Sequence, residues 1–206
     1  MPARGGGPDA AARYSKGVMN ASDHAQRRVG VYCGSSFGNN PAFRAEAVAL
    51  GESIAKAGLG LVYGGASVGL MGAVANAALA SGAEVIGVLP EVLNGKEIAH
   101  TGLTALELVP TMHERKARMH ELADGFVALP GGYGTLDELL EAITWAQLRL
   151  HEKPCVLINT AGYWNGLLAF LDSAVAAGFL KAENRGLLRV AGDAAEAVKM
   201  IAAEWD

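Results

Sequence analysis

From Arg28 onward, short apolar runs alternate with stretches whose apolar residues recur three and four positions apart. The runs Arg28–Cys33, Leu59–Tyr63, Val85–Leu89, Gly125–Leu129, Pro154–Ile158 and Leu187–Val190 are of strand length, and Leu103–Val109 reads as a short edge strand. Between them the spacing predicts helices. One starts at Asn40-Pro41 and is stopped by Gly58; the next is a small-residue helix over Leu70–Ser81. A third spans Thr111–Ala123 with a capping box of Thr111 and Glu114, and two more cover Trp164–Ala177 and Ala194–Trp205. After Gly134, the positions Leu136, Leu139, Leu140, Ile143 and Leu148 fall at helical spacing. Strand and helix alternate throughout, which predicts a single α/β domain with a mostly parallel sheet flanked by helices. Ala73, Ala77 and Ala78 would let the second helix lie close to that sheet. Met1 to Arg27 has no period and reads as a flexible N-terminal tail, leaving residues 28–206 as the folded domain.

Three of these strands run straight into glycine turns: Gly34-Ser35-Ser36-Phe37-Gly38, Gly64-Gly65 and Gly131-Gly132-Tyr133-Gly134. In an open parallel sheet the carboxyl ends of the strands line the ligand crevice, so the three turns should converge there. Ser35 and the Gly64-Gly65 pair are therefore candidate ligand contacts. The third turn opens a helix, whose first N–H groups lack partners and whose dipole adds positive charge, so it suits a phosphate. Thr135 reads as the N-cap of that helix and Glu138 as its capping-box partner. Glu138 then has two readings, a purely structural cap or a carboxylate beside a bound phosphate.

Composition narrows the chemistry. The chain has 206 residues, 51% of them apolar, and a formal charge of -4. An acidic balance without a basic stripe argues against a nucleic-acid binder, so an anionic ligand must be held by local donors. No membrane-length apolar run occurs, and Cys33 and Cys155 lack metal spacing, which fits a reducing cytoplasm. His113-Glu114 and His120-Glu121 both lack the second histidine of a zinc-binding H-E-x-x-H, and no metal site is expected. His24, His100 and His151 read as ordinary surface residues.

Arg115 and Lys116 stand out because they fall within the apolar stripe of Met112, Met119, Leu122 and Ala123. Arg115 should thus point to the core or a cleft, where a guanidinium needs an anionic partner, either a ligand phosphate or Glu138. A buried Arg–Glu pair without a catalytic role is the plainer alternative. Gly34-Ser35-Ser36-Phe37-Gly38 also matches the G-x-S-x-G pattern of a hydrolase nucleophile elbow, although no histidine is cued as its base.

Pro130-Gly131-Gly132-Tyr133-Gly134-Thr135-Leu136-Asp137-Glu138 resembles the P-G-G-x-G-T-x-x-E motif of the LOG ("lonely guy") family. Val31–Ser36, Val62–Gly65, Val68–Gly72, Met112–Lys116 and Ile143–Gln147 add to the likeness, which spans about Arg28 to Leu180. These are cytokinin riboside 5′-monophosphate phosphoribohydrolases, often mislabelled lysine decarboxylases. The resemblance implies a Rossmann-like nucleotide-binding catalytic domain, a homodimer, and no metal or organic cofactor. It implies hydrolysis of the N-glycosidic bond of an N6-modified AMP, giving free base and ribose 5-phosphate. By position, Arg115 and Glu138 match the catalytic pair. Lys116, Gly132, Tyr133, Gly134, Thr135, Leu136, Asp137 and Thr144 match nucleotide contacts, and Glu97 falls where the family has a substrate-contacting glutamate, within a segment that departs from the family's wording. A broader nucleoside 5′-monophosphate nucleosidase and a non-catalytic nucleotide or cofactor carrier are the alternatives. A pyridoxal-dependent decarboxylase has no marked Schiff-base lysine.

Overall fold

Seven strands lie in one sheet with the order β4-β3-β2-β1-β5-β6-β7, and every neighbouring pair is parallel. The structure is a computed structural model and describes residues 26–94 and 99–205. The expected tail lies outside the described residues except for Gln26 and Arg27, which bond to the Gly58 carbonyl (2.9 Å) and the Asp124 carboxylate (3.2 Å).

The elements run β1 (Arg28–Tyr32), α1 (Pro41–Lys56), β2 (Gly60–Tyr63), α2 (Gly69–Ala80), β3 (Val85–Pro90), α3 (Glu91–Asn94) and β4 (Ala105–Val109). Then follow α4 (Met112–Leu122), β5 (Gly125–Ala128), α5 (Tyr133–Gln147), β6 (Cys155–Ile158), α6 (Asn165–Ala176), α7 (Ala182–Arg185), β7 (Leu188–Ala191) and α8 (Ala194–Ala202). The α/β reading of the sequence holds, with β4 at the sheet edge as expected. The short α3 and α7 fall between the sequence periodicities, because four residues make only one helical turn and carry no repeat.

Strands read as near-continuous apolar runs because both sheet faces are covered. On one face, α1, α2 and α8 bury Leu50, Ile54, Val74, Ala78, Val198 and Ile201 against Val29, Val31 and Leu61. On the other, Met119 and Leu122 of α4 and Leu139 and Ala142 of α5 pack with Phe126, Ala128 and Leu157. The small residues of α2 divide their work. Ala75 and Ala78 are buried, whereas Ala77 meets α1 at Gly51, where an added Cβ would come within 2.9 Å of the Ala77 methyl and 2.4 Å of the Val74 carbonyl oxygen. Two helices cross this closely only because a glycine leaves room.

The histidines correct the sequence reading. His100 and His151 are buried, not ordinary surface residues. His100 Nε2 lies 3.1 Å from Asn76 Oδ1, and His151 Nδ1 accepts from the Lys153 N–H at 3.1 Å. His151 packs in a buried aromatic group with the rings of His120 and Phe126, tilted against both, and burial lowers the pKa of His120 to about 3 and of His151 to about 4. Both rings are therefore neutral packing elements at physiological pH. His24 lies outside the described residues.

Candidate active site

β1 sits at the centre of the sheet, with β2 on one side and β5 on the other. The chain builds outward from β1 to β4 and then returns to β5, so the topological switch point lies between β1 and β5. Hydrogen bonds tie the loops at their carboxyl ends together. Gly34 N–H donates to the Pro130 carbonyl (3.0 Å), and Leu70 N–H, at the start of α2, donates to the Gly34 carbonyl (3.0 Å). The three glycine turns thus converge, as the alternation of strands and helices predicted.

The first and third of them border a cavity of about 220 Å³ lined by Cys33, Gly34, Ser35, Met71, Arg115, Gly132, Tyr133, Gly134, Thr135 and Glu138. It opens beside a second cavity of about 330 Å³, which shares Gly34, Ser35 and Gly132 and is walled by Phe37, Phe43, Leu70 and Tyr163. A larger hollow of about 470 Å³ lies at the opposite end of the sheet, where Pro154 and Leu187 lead into β6 and β7. Its charged lining mixes Arg149, Lys153 and Arg189 with Glu152, Glu183 and Glu204. We assign the site to the switch-point crevice despite its smaller volume, because there a buried ion pair and unpartnered helix N–H groups face one space.

The helix start is the first component. α5 begins at Tyr133, and its N-cap is Gly132, which supplies no side-chain cap. The N–H groups of Tyr133, Gly134 and Thr135 therefore have no intrahelical acceptor, and no acidic residue occupies the first turn. The capping box expected from Thr135 and Glu138 does not form. Thr135 sits at the third helical position, and a Cβ on Gly131 would come within 2.0 Å of its hydroxyl oxygen. Gly131 is needed to admit that hydroxyl, and Tyr163 braces the turn by donating to the Gly131 carbonyl at 2.6 Å.

The second component is the ion pair. Arg115 projects from the first turn of α4 and places Nη1 2.9 Å from Glu138 Oε1. Both side chains are about nine-tenths buried, at 11% and 9% exposed. Arg115 Nε–H also donates to the Val88 carbonyl within β3 (3.1 Å). Burial raises the Glu138 pKa, and the Arg115 guanidinium opposes that shift. The same burial pushes the Cys33 thiol up, so the sulfur beside the pair is protonated and inert as a nucleophile.

The other sequence-predicted residues divide. Ser35, Gly132, Tyr133, Gly134 and Thr135 line the cavity with Arg115 and Glu138. Gly64 packs against the Arg115 guanidinium, and Gly65, at φ +74, turns the chain over β3 and accepts from the His100 N–H at 2.9 Å. Lys116 is held away by Asp137 (3.0 Å) and Glu141 (2.8 Å). Burial opposes the Lys116 charge, but those carboxylates outweigh it and raise the pKa. Leu136 packs on the core beneath α5. Thr144 is exposed, donates to the Leu140 carbonyl, and lines a separate cleft with Leu171 and Leu180. Glu97 lies outside the described residues. Met71 and the Val88 carbonyl were not legible beforehand; a backbone acceptor carries no residue-type signal. The hydrolase-elbow reading gains nothing, since Ser35 has no histidine partner among the described residues, whose histidine bonds go elsewhere.

Fold and site together define an open, doubly wound α/β protein with a crevice at the switch point. Residues 71–201 match a protein-family model described as possible lysine decarboxylase. The chain is 46% identical over 175 residues to cytokinin riboside 5′-monophosphate phosphoribohydrolase LOG1 of Arabidopsis thaliana, covering 85% of this chain and 82% of that protein. It is 50% identical over 178 residues to the probable cytokinin riboside 5′-monophosphate phosphoribohydrolase LOGL9 of Oryza sativa subsp. japonica, covering 85% and 78%. This chain belongs to the LOG family, the proteins gathered under that lysine decarboxylase description. Among solved structures, the Moco carrier protein from Chlamydomonas reinhardtii is similar with a TM-score of 0.65 and 26% identity, covering 87% of this chain and 99% of that one.

Proposed function

We propose that this protein hydrolyses the N-glycosidic bond of N6-modified adenosine 5′-monophosphates, releasing the free base and D-ribose 5-phosphate. The observation that carries this reading is the buried Arg115–Glu138 pair, 2.9 Å apart and one turn inside a helix whose first N–H groups are unpartnered. Relatives at 46% and 50% identity bear the name phosphoribohydrolase, which supports the same assignment.

Cleavage of the C1′–N9 bond leaves electrons on the base and positive charge on the ribose, an oxocarbenium-like state. The N–H groups of residues 133–135 hold the 5′-phosphate, with the Ser35 hydroxyl on the opposite wall. Glu138 faces the ribose, steadies the developing cation and orients the water that adds to C1′. Arg115 fixes the carboxylate and opposes the rise in its pKa that burial causes, and its cationic fork favours departure of the electron-rich base. Fixed charges in a water-poor cleft are usually the largest catalytic contribution. The apolar walls of Phe37, Phe43 and Tyr163 enclose the adjoining cavity.

A carrier reading is favoured by one observation, the likeness to a Moco carrier protein, but that protein is 26% identical where the phosphoribohydrolases reach 46–50%. Product chromatography across AMP and N6-isopentenyl-AMP tests the proposal. Base should appear from both, with higher kcat/KM for the N6-modified substrate. Equal values would indicate a broader nucleosidase, and binding without products would indicate a carrier.

We further propose that the protein works as a homodimer. Leu167, Leu168 and Leu171 of α6 pack on the core, but Phe170 on the same helix is 65% exposed and Phe179 just beyond it is 91% exposed. An exposed apolar face of this kind marks an association surface. Sedimentation equilibrium should give twice the chain mass, and Phe170→Glu should weaken the association; a wild-type monomer at micromolar concentration would contradict this.

A further inference from the structure

Gly64, in the turn that follows β2, lies outside the cavity lining, yet it touches the residue on which the proposed reaction depends. A Cβ built on Gly64 would come within 2.0 Å of Arg115 Nη2 and 3.2 Å of both Arg115 Cζ and Met71 Sδ. The Gly64 backbone is not in the left-handed region, whereas its neighbour Gly65 has φ +74. Conformation therefore does not demand glycine at 64; the guanidinium does. Arg115 is fixed from three sides: its Nε–H by the Val88 carbonyl at 3.1 Å, its Nη1 by Glu138 at 2.9 Å, and its Nη2 end against the bare Cα of Gly64. The three contacts come from β3, α5 and the turn that follows β2.

We propose that Gly64 is a positioning residue that seats the Arg115 guanidinium against Glu138, and not a contact for the nucleotide. This rests on the catalytic reading of Arg115 and Glu138 given above. A methyl group at 64 displaces the tip of a flexible side chain, so the backbone can stay while the guanidinium shifts by about 1 Å or more, the gap between the built distance and ordinary contact. Misplacement on that scale costs ~10²-fold in rate when the displaced group must align with a reacting centre. The carboxylate also loses part of the positive charge that opposes its burial.

The variant to make is Gly64→Ala. Its melting should match the wild type, kcat for ribose 5-phosphate release should fall ~100-fold, and KM should move little. In an Arg115→Ala background, where the guanidinium is absent, Gly64→Ala should change residual turnover by less than about twofold, because the two substitutions remove one interaction. A further loss comparable to that in the wild type would overturn the proposal and return Gly64 to a ligand contact.

A second readout does not need turnover. The ¹³C shift of the Glu138 carboxyl, followed against pH, should give a higher midpoint in Gly64→Ala than in the wild type. If the wild type releases no product but the midpoint rises, the enzymatic reading fails and the positioning role stands. If the wild type is active and neither kcat nor the midpoint changes in Gly64→Ala, the positioning role fails. Should Gly64→Ala melt early, it must not lower the melting of Arg115→Ala further, because the atom that the methyl meets is then absent; a further loss comparable to that in the wild type overturns the proposal.

Discussion

Glu138→Gln is expected to leave a folded protein that binds AMP and turns over at least ~100-fold more slowly than the wild type. Folding should survive for two reasons. Glu138 caps nothing, since α5 starts at Tyr133 with Gly132 as its N-cap. The glutamine amide oxygen can also still accept from Arg115 at the position of Oε1, so the guanidinium keeps a hydrogen bond there although it loses its counter-charge. Burial disfavours the ionised carboxylate, and the substitution removes that cost too. What disappears is negative charge facing the ribose. Loss of a positioned acid or base typically costs ~10²–10⁴ in rate, and loss of preorganised charge is of similar size. A thermal melt, a binding isotherm and ribose 5-phosphate release on one preparation separate the effects. Turnover within about fivefold of wild type with an unchanged melt would reduce the Arg115–Glu138 pair to a structural ion pair. If the variant melts early, Glu138→Asp is informative, because it keeps the charge and shortens the reach.

The second large effect concerns the phosphate. N6-isopentenyladenosine should be cleaved with a kcat/KM lower than that of its 5′-monophosphate by ~10²–10⁴. Hydrogen bonds to a charged group contribute about 1.5–3 kcal/mol each, and two such bonds account for that range. The donors are the N–H groups of Tyr133, Gly134 and Thr135, left open because neither a side-chain cap nor an acidic residue occupies the first turn of α5. Energy from this remote group would hold the scissile bond against Glu138. Steady-state kinetics on the two substrates decide the matter. Comparable kcat/KM values would mean that the helix start does not hold the phosphate.

Much of this architecture was readable before any coordinates. Runs such as Val85–Leu89 and Pro154–Ile158 carry the β signal because parallel strands are buried on both faces. The capping box of Thr111 and Glu114 fixed the start of α4, and the structure has both of its reciprocal bonds. Arg115 was legible as inward-pointing because it interrupts an apolar stripe. Lys116, next to it in the same stripe, was legible as buried but not as a partner of Asp137 and Glu141, since pairing across helices leaves no local pattern. The start of α5 was misread because Thr135 and Glu138 have capping-box spacing, whereas the N-cap is Gly132 and the helix begins three residues earlier. The Val88 carbonyl and the contact between Gly64 and the guanidinium were out of reach, because tertiary approach alone creates them.

The most direct measurement is to incubate the purified chain with N6-isopentenyladenosine 5′-monophosphate and quantify base and ribose 5-phosphate over time by chromatography. The account predicts that both products appear in equal amounts, at a rate proportional to wild-type protein and at least ~100-fold lower for Glu138→Gln. Recovery of intact nucleotide from a wild-type protein that demonstrably binds it, or product formation that does not depend on Glu138, would contradict the account.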